Sequence, residues 1–385
     1  MKICIYGYSL VTPGGGTTQY THALGSALVK AGHEVTIVTR RWYNAVSTTG
    51  ELKYHFISVD SRPSTALRNI QYALKSILYF FRHRDDYDLI HGMSGFQSFA
   101  ILAAFIRRCV KTPMVYSVLS PFRSRFCSTS FDQVICVSRN IKQRLKGDNL
   151  IYIPPFIEME PLKTNARYEF GAGFDFIIGT MGYPVYRKGT RYLVEAIPSI
   201  LERFPKTLFL LAIDLPAIPY IEKLAREKIV IEDMIKRNGL EKNVRILGTV
   251  DVPRFLHSLD LFVYPVQTTT GMIDIPPTVL ECLAAGCGLI TSQQGGIGEV
   301  VRDGFNGVLV SQGEEDQPQA YADRIIHLME HRDLLENLRQ NGPESVRGFD
   351  VKIVVPEIVK LYEGILDARE ICLSDHEDSL GRDRQ

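Results

Sequence analysis

Long apolar runs are missing from this sequence of 385 residues. No stretch approaches the roughly 18 uninterrupted apolar residues that a membrane-crossing helix needs, so only contact with a membrane surface stays open. The N-terminus also lacks the charged region, apolar segment and small-residue cleavage site of a signal peptide. We therefore expect a cytoplasmic protein, either free or bound at the cytoplasmic face of a membrane.

Metal-binding and redox patterns are missing as well. The seven cysteines are odd in number, and their spacings match neither a zinc site nor a redox pair. One acid pair, Asp86 and Asp88, has the spacing of a metal motif, but no glycine-rich loop or further ligand lies nearby in the sequence. We expect no metal ion and no bound cofactor.

Acidic residues are scarce in the first part of the chain. Residues 1–165 contain 20 Lys and Arg against 10 Asp and Glu, whereas the remainder contains 24 against 33. A basic region attracts an anionic partner such as a phospholipid, a lipid pyrophosphate or a charged acceptor. The alternative is a solvated surface that pairs with the acidic half. Nucleic acid is not an expected partner.

The first forty residues have the pattern of a β-α-β unit with a glycine-rich turn at 13–16. Gly15 and Gly16 in this turn would let the backbone approach an anion or a sugar closely. In a dinucleotide-binding enzyme, an acidic residue should end the second strand, but Arg40 follows Thr39 here. This argues against NAD and leaves NADP open.

A helix over residues 66–82 is predicted by apolar residues at spacings of three and four. The residues that we expect to face the core are Leu67, Ile70, Leu74, Ile77, Leu78 and Phe81. The other side carries Arg68, Tyr72, Lys75, Tyr79, Phe80 and Arg82. These basic and aromatic residues could lie at a lipid interface, although most such helices simply cover a sheet.

Short apolar runs typical of buried parallel strands recur on both sides of an interruption near residue 165. We predict an α/β fold with two Rossmann-like doubly wound domains, over residues 1–165 and 166–350. Residues 351–370 are predicted as a helix that crosses back onto the first domain. Residues 371–385 are predicted as a disordered tail.

The segment 268–310 carries the strongest signal for a ligand. Pro277 and Gly286 bracket a short helix, because proline favours the first helical turn and glycine the position after the end. The helix follows a strand and the loop at Gly271, so the free N–H groups of Thr278 and Val279 should point out of the carboxyl edge of the sheet. This arrangement predicts a phosphate site.

Two cations are positioned to meet the same phosphates. Lys188, preceded by Arg187 and followed by Gly189, ends the loop after the first strand of the second domain. Open α/β sheets bind ligands at their carboxyl edge, so these side chains should face the predicted phosphate site. The alternative is a solvated turn.

Together these motifs resemble a known family. Lys188-Gly189, the segment VLECLAAG at 279–286 and the segment GGIGEVV at 295–301, with DG at 303–304 and NG at 306–307, are similar to the retaining GT-B glycosyltransferases of family 4. The resemblance covers nearly the whole chain, including the glycines at 14–16 and AGHEV at 31–35. It implies two domains that face each other across a cleft.

The resemblance also implies roles for single residues. Glu281 would hold the ribose hydroxyls of a nucleoside diphosphate sugar, and Lys188 would neutralise its pyrophosphate. Fixed cations and N–H groups stabilise the charge that develops on the leaving diphosphate, so a metal ion is not required. Arg187 would replace an arginine that the family has at Tyr183, and His91 is a candidate on the acceptor side.

Several positions depart from the family pattern. The usual Glu eight positions before Glu281 is Ile273 here, and Asp274 is the nearest acid that could reach the hydroxyls of the donor sugar. Two histidines common in the family are replaced by Met93 and Leu119. These changes are compatible with catalysis, and also with a protein that binds without turnover.

The sequence therefore predicts a retaining, metal-independent hexosyltransferase of polysaccharide or glycolipid biosynthesis. It would move a sugar from a nucleotide sugar to a glycan or lipid-linked acceptor held by the basic first domain. Two alternatives stay open. One is a catalytically inactive GT-B protein that binds a nucleotide sugar or a partner, and the other is a GT-B nucleotide-sugar epimerase.

Overall fold

The computed structural model of the chain describes residues 1–7, 15–40, 52–59, 65–95, 97–121, 128–164, 166–170, 173–213, 215 and 221–382. Gly14 of the predicted glycine-rich turn and Cys127 lie outside the described residues. Within the described ranges, the strands form two parallel sheets, one of seven strands and one of six.

The described part of the first domain comprises β1 (Lys2–Gly7), α1 (Gly16–Lys30), β2 (Glu34–Arg40), β3 (Lys53–Ile57), α2 (Thr65–Arg82), β4 (Leu89–Ser94), α3 (Gln97–Cys109), β5 (Met114–Val118), β6 (Gln133–Cys136), α4 (Arg139–Arg144) and β7 (Leu150–Tyr152). The strand order is β3-β2-β1-β4-β5-β6-β7. Because the order reverses between β1 and β4, a crevice opens there at the carboxyl ends of the strands.

The described part of the second domain comprises β8 (Phe176–Met181), α5 (Thr190–Arg203), β9 (Thr207–Ala212), α6 (Ile221–Arg237), β10 (Val244–Leu247), α7 (Val252–His257), β11 (Leu261–Tyr264), α8 (Pro277–Ala284), β12 (Gly288–Ser292), β13 (Val308–Val310), α9 (Pro318–Glu330) and α10 (Arg332–Ser345). The order β10-β9-β8-β11-β12-β13 reverses between β8 and β11. Two doubly wound α/β domains are therefore present, as the sequence predicts.

The last helix, α11 (Val351–Arg382), returns to the first domain, where Ile358 and Tyr362 are fully buried in its core. The helix continues to residue 382, although the sequence predicted a disordered tail from residue 371. Residues 371–382 contain no proline and one glycine, at position 381, so no residue before that point interrupts the helical hydrogen bonds. No helix in the described residues combines the length and the apolar character needed to cross a membrane.

The chain passes between the domains twice, and the two passages are hydrogen-bonded to each other. The N–H of Ile157 donates to the carbonyl oxygen of Phe349 at 3.0 Å, and the N–H of Val351 donates to that of Ile157 at 2.9 Å. Ile157 and Asp350 thereby form a parallel bridge between the two passages. The domains are joined by a two-stranded ribbon rather than by one linker.

Helix α2 covers residues 65–82 as predicted, but the side predicted to face the core is the exposed side. Five of the six apolar residues that define this side are between 47% and 63% exposed: Leu67, Ile70, Leu74, Leu78 and Phe81. The buried side carries Tyr72 and Phe80, whose rings pack against Tyr6 of β1. Helical periodicity separates the two sides, and the aromatic rings that fill the space above the sheet decide which one is buried.

Candidate active site

Lys188 is fixed at the carboxyl edge of the second sheet by the glycine that follows it. Gly189 has a φ of +70°, and a Cβ at this position would overlap the carbonyl oxygen of Pro265. Only glycine allows this close approach, which brings Lys188 to the end of β11. There the Lys188 Nζ donates a hydrogen bond to the hydroxyl of Tyr264 and lies 4.7 Å from the centre of its ring.

Arg187 contributes a second, poorly compensated cation at the same edge. Its Nε is buried and has no hydrogen-bond partner among the described residues. Desolvation by the surrounding protein lowers the pKa of this guanidinium, and Tyr264 partly opposes the shift. A buried donor without a partner is costly, so an anion bound at this edge would relieve that cost.

Glu281 lies on α8, within electrostatic reach of Lys188. The residue as a whole is partly exposed, but desolvation of its carboxyl group raises the pKa from the ordinary 4.5 to about 7, while the positive charge of Lys188 opposes the shift. The structure thus brings together the cation and the carboxylate that the sequence assigns to the pyrophosphate and the ribose.

The N-terminus of α8 supplies less free backbone than the sequence predicts. Pro277 occupies the first turn and has no N–H, and the N–H of Val279 donates to the carbonyl oxygen of Pro276 at 2.9 Å. The N–H of Thr278 makes no hydrogen bond to the described part of the chain. Of the two predicted phosphate contacts, that of Thr278 therefore remains available, and that of Val279 is already used.

The glycine turn of the first domain faces this helix across the domain boundary. Gly15 is the N-cap of α1, and a Cβ at Gly16 would lie 3.7 Å from the Cδ of Pro277. The N-termini of α1 and α8 therefore converge, and neither first turn carries an acidic residue. Two positive helix ends that meet without a carboxylate favour an anion between them.

A cavity of about 210 Å³ opens beside this meeting point. Its walls come from both domains and from the ribbon between them, and they include Tyr20, Phe156, Val252, Pro277 and Glu281. Aromatic and apolar walls with two carboxylates, those of Glu158 and Glu281, suit a ring system that carries hydroxyl groups.

Asp274 lies at the domain boundary and not in the cavity. Its carboxylate is fully buried and accepts hydrogen bonds from the Thr269 hydroxyl at 2.6 Å, the Ser138 hydroxyl at 2.5 Å and the Asn140 amide at 2.9 Å. Its own N–H donates to Leu119 of the first domain at 2.8 Å. Residues from both domains therefore enclose the carboxylate that the sequence predicts to reach the donor sugar.

Three glycines lie close to Asp274 at the boundary between the domains. Gly271, predicted to line the donor site, donates its N–H to the Ser120 hydroxyl at 2.7 Å and so contacts the first domain. A Cβ at Gly295 would overlap Asp274, and one at Gly296 would come within 2.9 Å of the Ser138 Cβ. Gly296 is therefore needed for the close approach of the two domains, and Gly295 for the space beside Asp274 and Thr269 within the second domain.

Glu299, in the same segment, has a role that the sequence did not predict. Its carboxylate accepts the backbone N–H groups of Arg139 at 2.9 Å and Asn140 at 2.7 Å, at the start of α4 in the other domain. An acid at a helix N-terminus is favourable, so Glu299 is a second acid that bonds across the boundary. Ser138, a residue that favours the N-cap position, is the sequence feature that could have predicted a helix start here.

His91 lies away from the cavity, in the core of the first domain. It has no exposed surface, its Nδ1 is 2.5 Å from the Tyr362 hydroxyl, and its Nε2 is 2.7 Å from the Ser117 hydroxyl. Burial lowers its pKa to about 3, so the ring is neutral near pH 7. Met93 and Leu119, which replace family histidines, are also buried.

Asp86 and Asp88, the acid pair with the spacing of a metal motif, each bind a neighbouring group of the first domain. Asp88 accepts from the backbone N–H of Lys2 at 2.6 Å, and Asp86 pairs with His83 at 2.7 Å. Among the described residues, no group of three or more His, Cys, Asp or Glu side chains is arranged to hold a metal ion.

Two family profiles match the chain in succession. Glycosyltransferase Family 4 matches residues 14–160, and Glycosyl transferases group 1 matches residues 176–331. The chain is 24% identical over 366 residues to an uncharacterized glycosyltransferase of Methanocaldococcus jannaschii, covering 86% of this chain and 95% of the relative. It is also 24% identical to a component of the phosphatidylinositol N-acetylglucosaminyltransferase of Arabidopsis thaliana, covering 82% of this chain and 72% of that protein.

The fold is also similar to that of solved structures. The crystal structure of Anabaena HepE in complex with UDP and glucose superposes with a TM-score of 0.73 at 18% identity, covering 94% of this chain and 99% of the other. Two facing Rossmann-like domains, two matching profiles and full-length relatives agree. The chain belongs to glycosyltransferase family 4, the glycosyl transferases group 1, and has the GT-B fold.

Proposed function

We propose that the enzyme transfers a hexose from a nucleoside diphosphate sugar to a glycan or lipid-linked acceptor, with retention of the anomeric configuration and without a metal ion. The observation that carries this proposal is the placement of Lys188 and Glu281 at one edge of the second sheet. A location at the cytoplasmic face of a membrane stays part of the proposal.

The chemistry follows from the charges at this edge. Departure of the nucleoside diphosphate places negative charge on its β-phosphate, and Lys188 and Arg187 lie at the edge as fixed cations. The Thr278 N–H and the end of α1 at Gly16 add dipoles of the same sign. Such preorganised groups stabilise a leaving group in the way a metal ion does elsewhere.

Glu281 has the second role in the proposal. When ionised, its carboxylate can accept hydrogen bonds from both hydroxyl groups of a ribose. The adjoining cavity, with Tyr20, Phe156 and Val252 in its walls, would hold the nucleoside. Asp274 and His91 are left out of this proposal because both side chains are buried in other contacts.

The relatives support the choice of donor and acceptor. HepE was crystallised with UDP and glucose, which favours a nucleotide-sugar donor. The Arabidopsis relative is named for N-acetylglucosamine transfer to phosphatidylinositol, which favours a lipid-linked acceptor. The excess of ten basic charges in residues 1–165 is consistent with an anionic acceptor on the first domain.

The first experiment is thermal unfolding of the full chain with a panel of nucleoside diphosphates and their sugars, in EDTA. A ligand at one hundred times its dissociation constant adds about 2.7 kcal/mol to the free energy of unfolding. A selective shift identifies the nucleotide, and product analysis by NMR then reads the anomeric configuration. No shift with any donor would contradict the proposal.

The same experiment separates the alternatives. Binding without sugar transfer or donor hydrolysis would identify a nucleotide-sugar-binding protein. Conversion of the donor sugar in the absence of any acceptor would identify an epimerase. Activity that is lost in EDTA and restored by a divalent cation would refute the metal-independent mechanism while keeping the transfer reaction.

A further inference from the structure

The exposed apolar side chains of the described chain are concentrated on two helices of the first domain. Thirteen large apolar side chains in the described residues are strongly exposed, and seven of them lie on α2 and α3. These seven are Leu67, Ile70, Leu74, Leu78, Phe81, Ile101 and Phe105. Monomeric proteins rarely expose a large continuous apolar patch without a function for it.

The two helices form one surface, which we call the α2/α3 face and define by these seven side chains. Tyr72 of α2 and Phe99 of α3 have ring centres 6.5 Å apart, and both rings pack on Tyr6 of β1. The helices therefore lie side by side on one side of the sheet. Helix α11 packs on the opposite side, where Tyr362 meets His91.

Packing within the domain does not need the α2/α3 face. The inner side of α2 is filled by Tyr72, Ser76 and Phe80, each at most 1% exposed. The row formed by Ile70, Leu74, Leu78 and Phe81 is left between 47% and 63% exposed. A helix with two apolar sides can bury one side in the core and use the other to contact an apolar environment outside the protein.

Charge identifies the chemistry of the partner. Neither α2 nor α3 contains an Asp or Glu, whereas α2 carries Arg68, Lys75 and Arg82 and α3 carries Arg107 and Arg108. Arg107 is paired with Asp132, and Lys75 also donates to the carbonyl oxygen of Ser58. Arg68, Lys75 and Arg82 are seven positions apart on α2 and therefore flank the apolar row along one side. A second copy would bring the same cations against each other, so the charge disfavours pairing of two such faces.

We propose that the α2/α3 face docks onto the surface of an anionic lipid bilayer. The apolar row would enter the boundary between headgroups and acyl chains, and the flanking cations would meet lipid phosphates. This inference extends the proposed function, because it supplies a surface on which a lipid-linked acceptor is presented. The side of α2 that contacts lipid is the reverse of the one suggested by the sequence.

The test is co-sedimentation of the full chain with vesicles, in the absence of donor and acceptor. Vesicles of equal parts phosphatidylcholine and phosphatidylglycerol are compared with vesicles of phosphatidylcholine alone. The parent should bind the anionic vesicles. The double variant Leu74→Gln/Leu78→Gln should bind them at least about tenfold more weakly, because two apolar side chains no longer enter the bilayer.

A matched control removes exposed apolar side chains elsewhere. Ile229 and Val230 on α6 are 54% and 40% exposed, and Ile229→Gln/Val230→Gln should leave vesicle binding unchanged. Arg82→Gln should weaken binding to the anionic vesicles about fivefold and have little effect with phosphatidylcholine. Thermal unfolding of every variant confirms that each is folded.

Three outcomes would overturn the proposal: no binding of the parent to anionic vesicles, equal binding by the parent and Leu74→Gln/Leu78→Gln, or equal loss in the control. Concentration-dependent dimerisation that this double variant abolishes, without vesicle binding, would assign the face to a second copy instead. Because no donor is present, a failure of vesicle binding does not bear on the donor-site proposal. In the same way, an absence of nucleotide binding does not bear on the membrane proposal.

Discussion

The hydroxyl of Ser138 in the first domain donates a hydrogen bond of 2.5 Å to the carboxylate of Asp274 in the second. Asn140 and Thr269 complete the hydrogen bonding of the same carboxylate. Glu299 adds a further contact across the boundary through the start of α4. Two acids thus contribute to the contact between the domains, and one of them was predicted to bind the donor sugar.

Asp274→Asn should lower the free energy of unfolding by about 1–3 kcal/mol, because the new NH2 group donates at a position where a carboxylate oxygen accepts. The substitution should also increase the radius of gyration in small-angle X-ray scattering, since a contact between the domains is lost. Asp333 is exposed on α10, and Asp333→Asn serves as the control. If the variant is as stable and as compact as the parent, the Asp274 contact does not hold the two domains together.

Lys188→Ala should lower kcat for sugar transfer by on the order of a hundredfold or more, since one fixed charge at the leaving diphosphate is lost. Lys206 is a suitable control because its side chain is 67% exposed and makes a surface ion pair. Steady-state kinetics with the identified donor measure both variants. Near-normal turnover in Lys188→Ala would remove this residue from the proposed mechanism.

Glu281 should make stability depend on pH in the absence of nucleotide. Its pKa is raised from 4.5 to about 7, so between these values the native chain keeps a proton that the unfolded chain has released. Raising the pH through this window therefore lowers the free energy of unfolding of the parent.

Glu281→Gln lacks this titration, so its stability relative to the parent should rise between pH 4.5 and 7 and stay constant above that range. Urea unfolding at a series of pH values measures the difference. Curves for parent and variant that run parallel across the window would mean that the carboxyl group has an ordinary pKa.

Tyr362→Phe should destabilise the protein by about 1–3 kcal/mol, because it leaves the Nδ1 of the buried His91 without its partner. Tyr186 is 54% exposed, and Tyr186→Phe should have a much smaller effect on urea unfolding. Equal effects of the two substitutions would show that the bond between Tyr362 and His91 adds little to the stability of the first domain.

Most of the fold could be predicted from local patterns. The buried strands are apolar throughout, and glycines mark the points where the chain turns towards a ligand or a neighbouring strand. Lys188 and the N-terminus of the helix that carries Glu281 were predicted to lie together because both follow strands at the same edge of one sheet, and the structure places them there. The role of Glu281 itself was implied only by the family resemblance.

Contacts between distant segments could not be predicted in the same way. The sequence shows that α2 has two different sides, but Tyr6, far away in the chain, decides that Tyr72 and Phe80 face inward. Asp274 is near the donor motifs in sequence, yet its partner Ser138 is 136 positions away. Such roles depend on how two domains meet, which no local spacing encodes.

The ribbon at Ile157 and Asp350 has a mechanical consequence. A single linker would let the domains swivel freely, whereas two hydrogen-bonded passages resist twisting and leave bending across the ribbon as the easier motion. If a nucleotide sugar enters by widening the cleft, the ribbon would act as a hinge and the hydrogen bonds of Asp274 and Glu299 as a latch. The first domain is also discontinuous in sequence, so a fragment that ends before α11 would lack the part of its core that contains Tyr362.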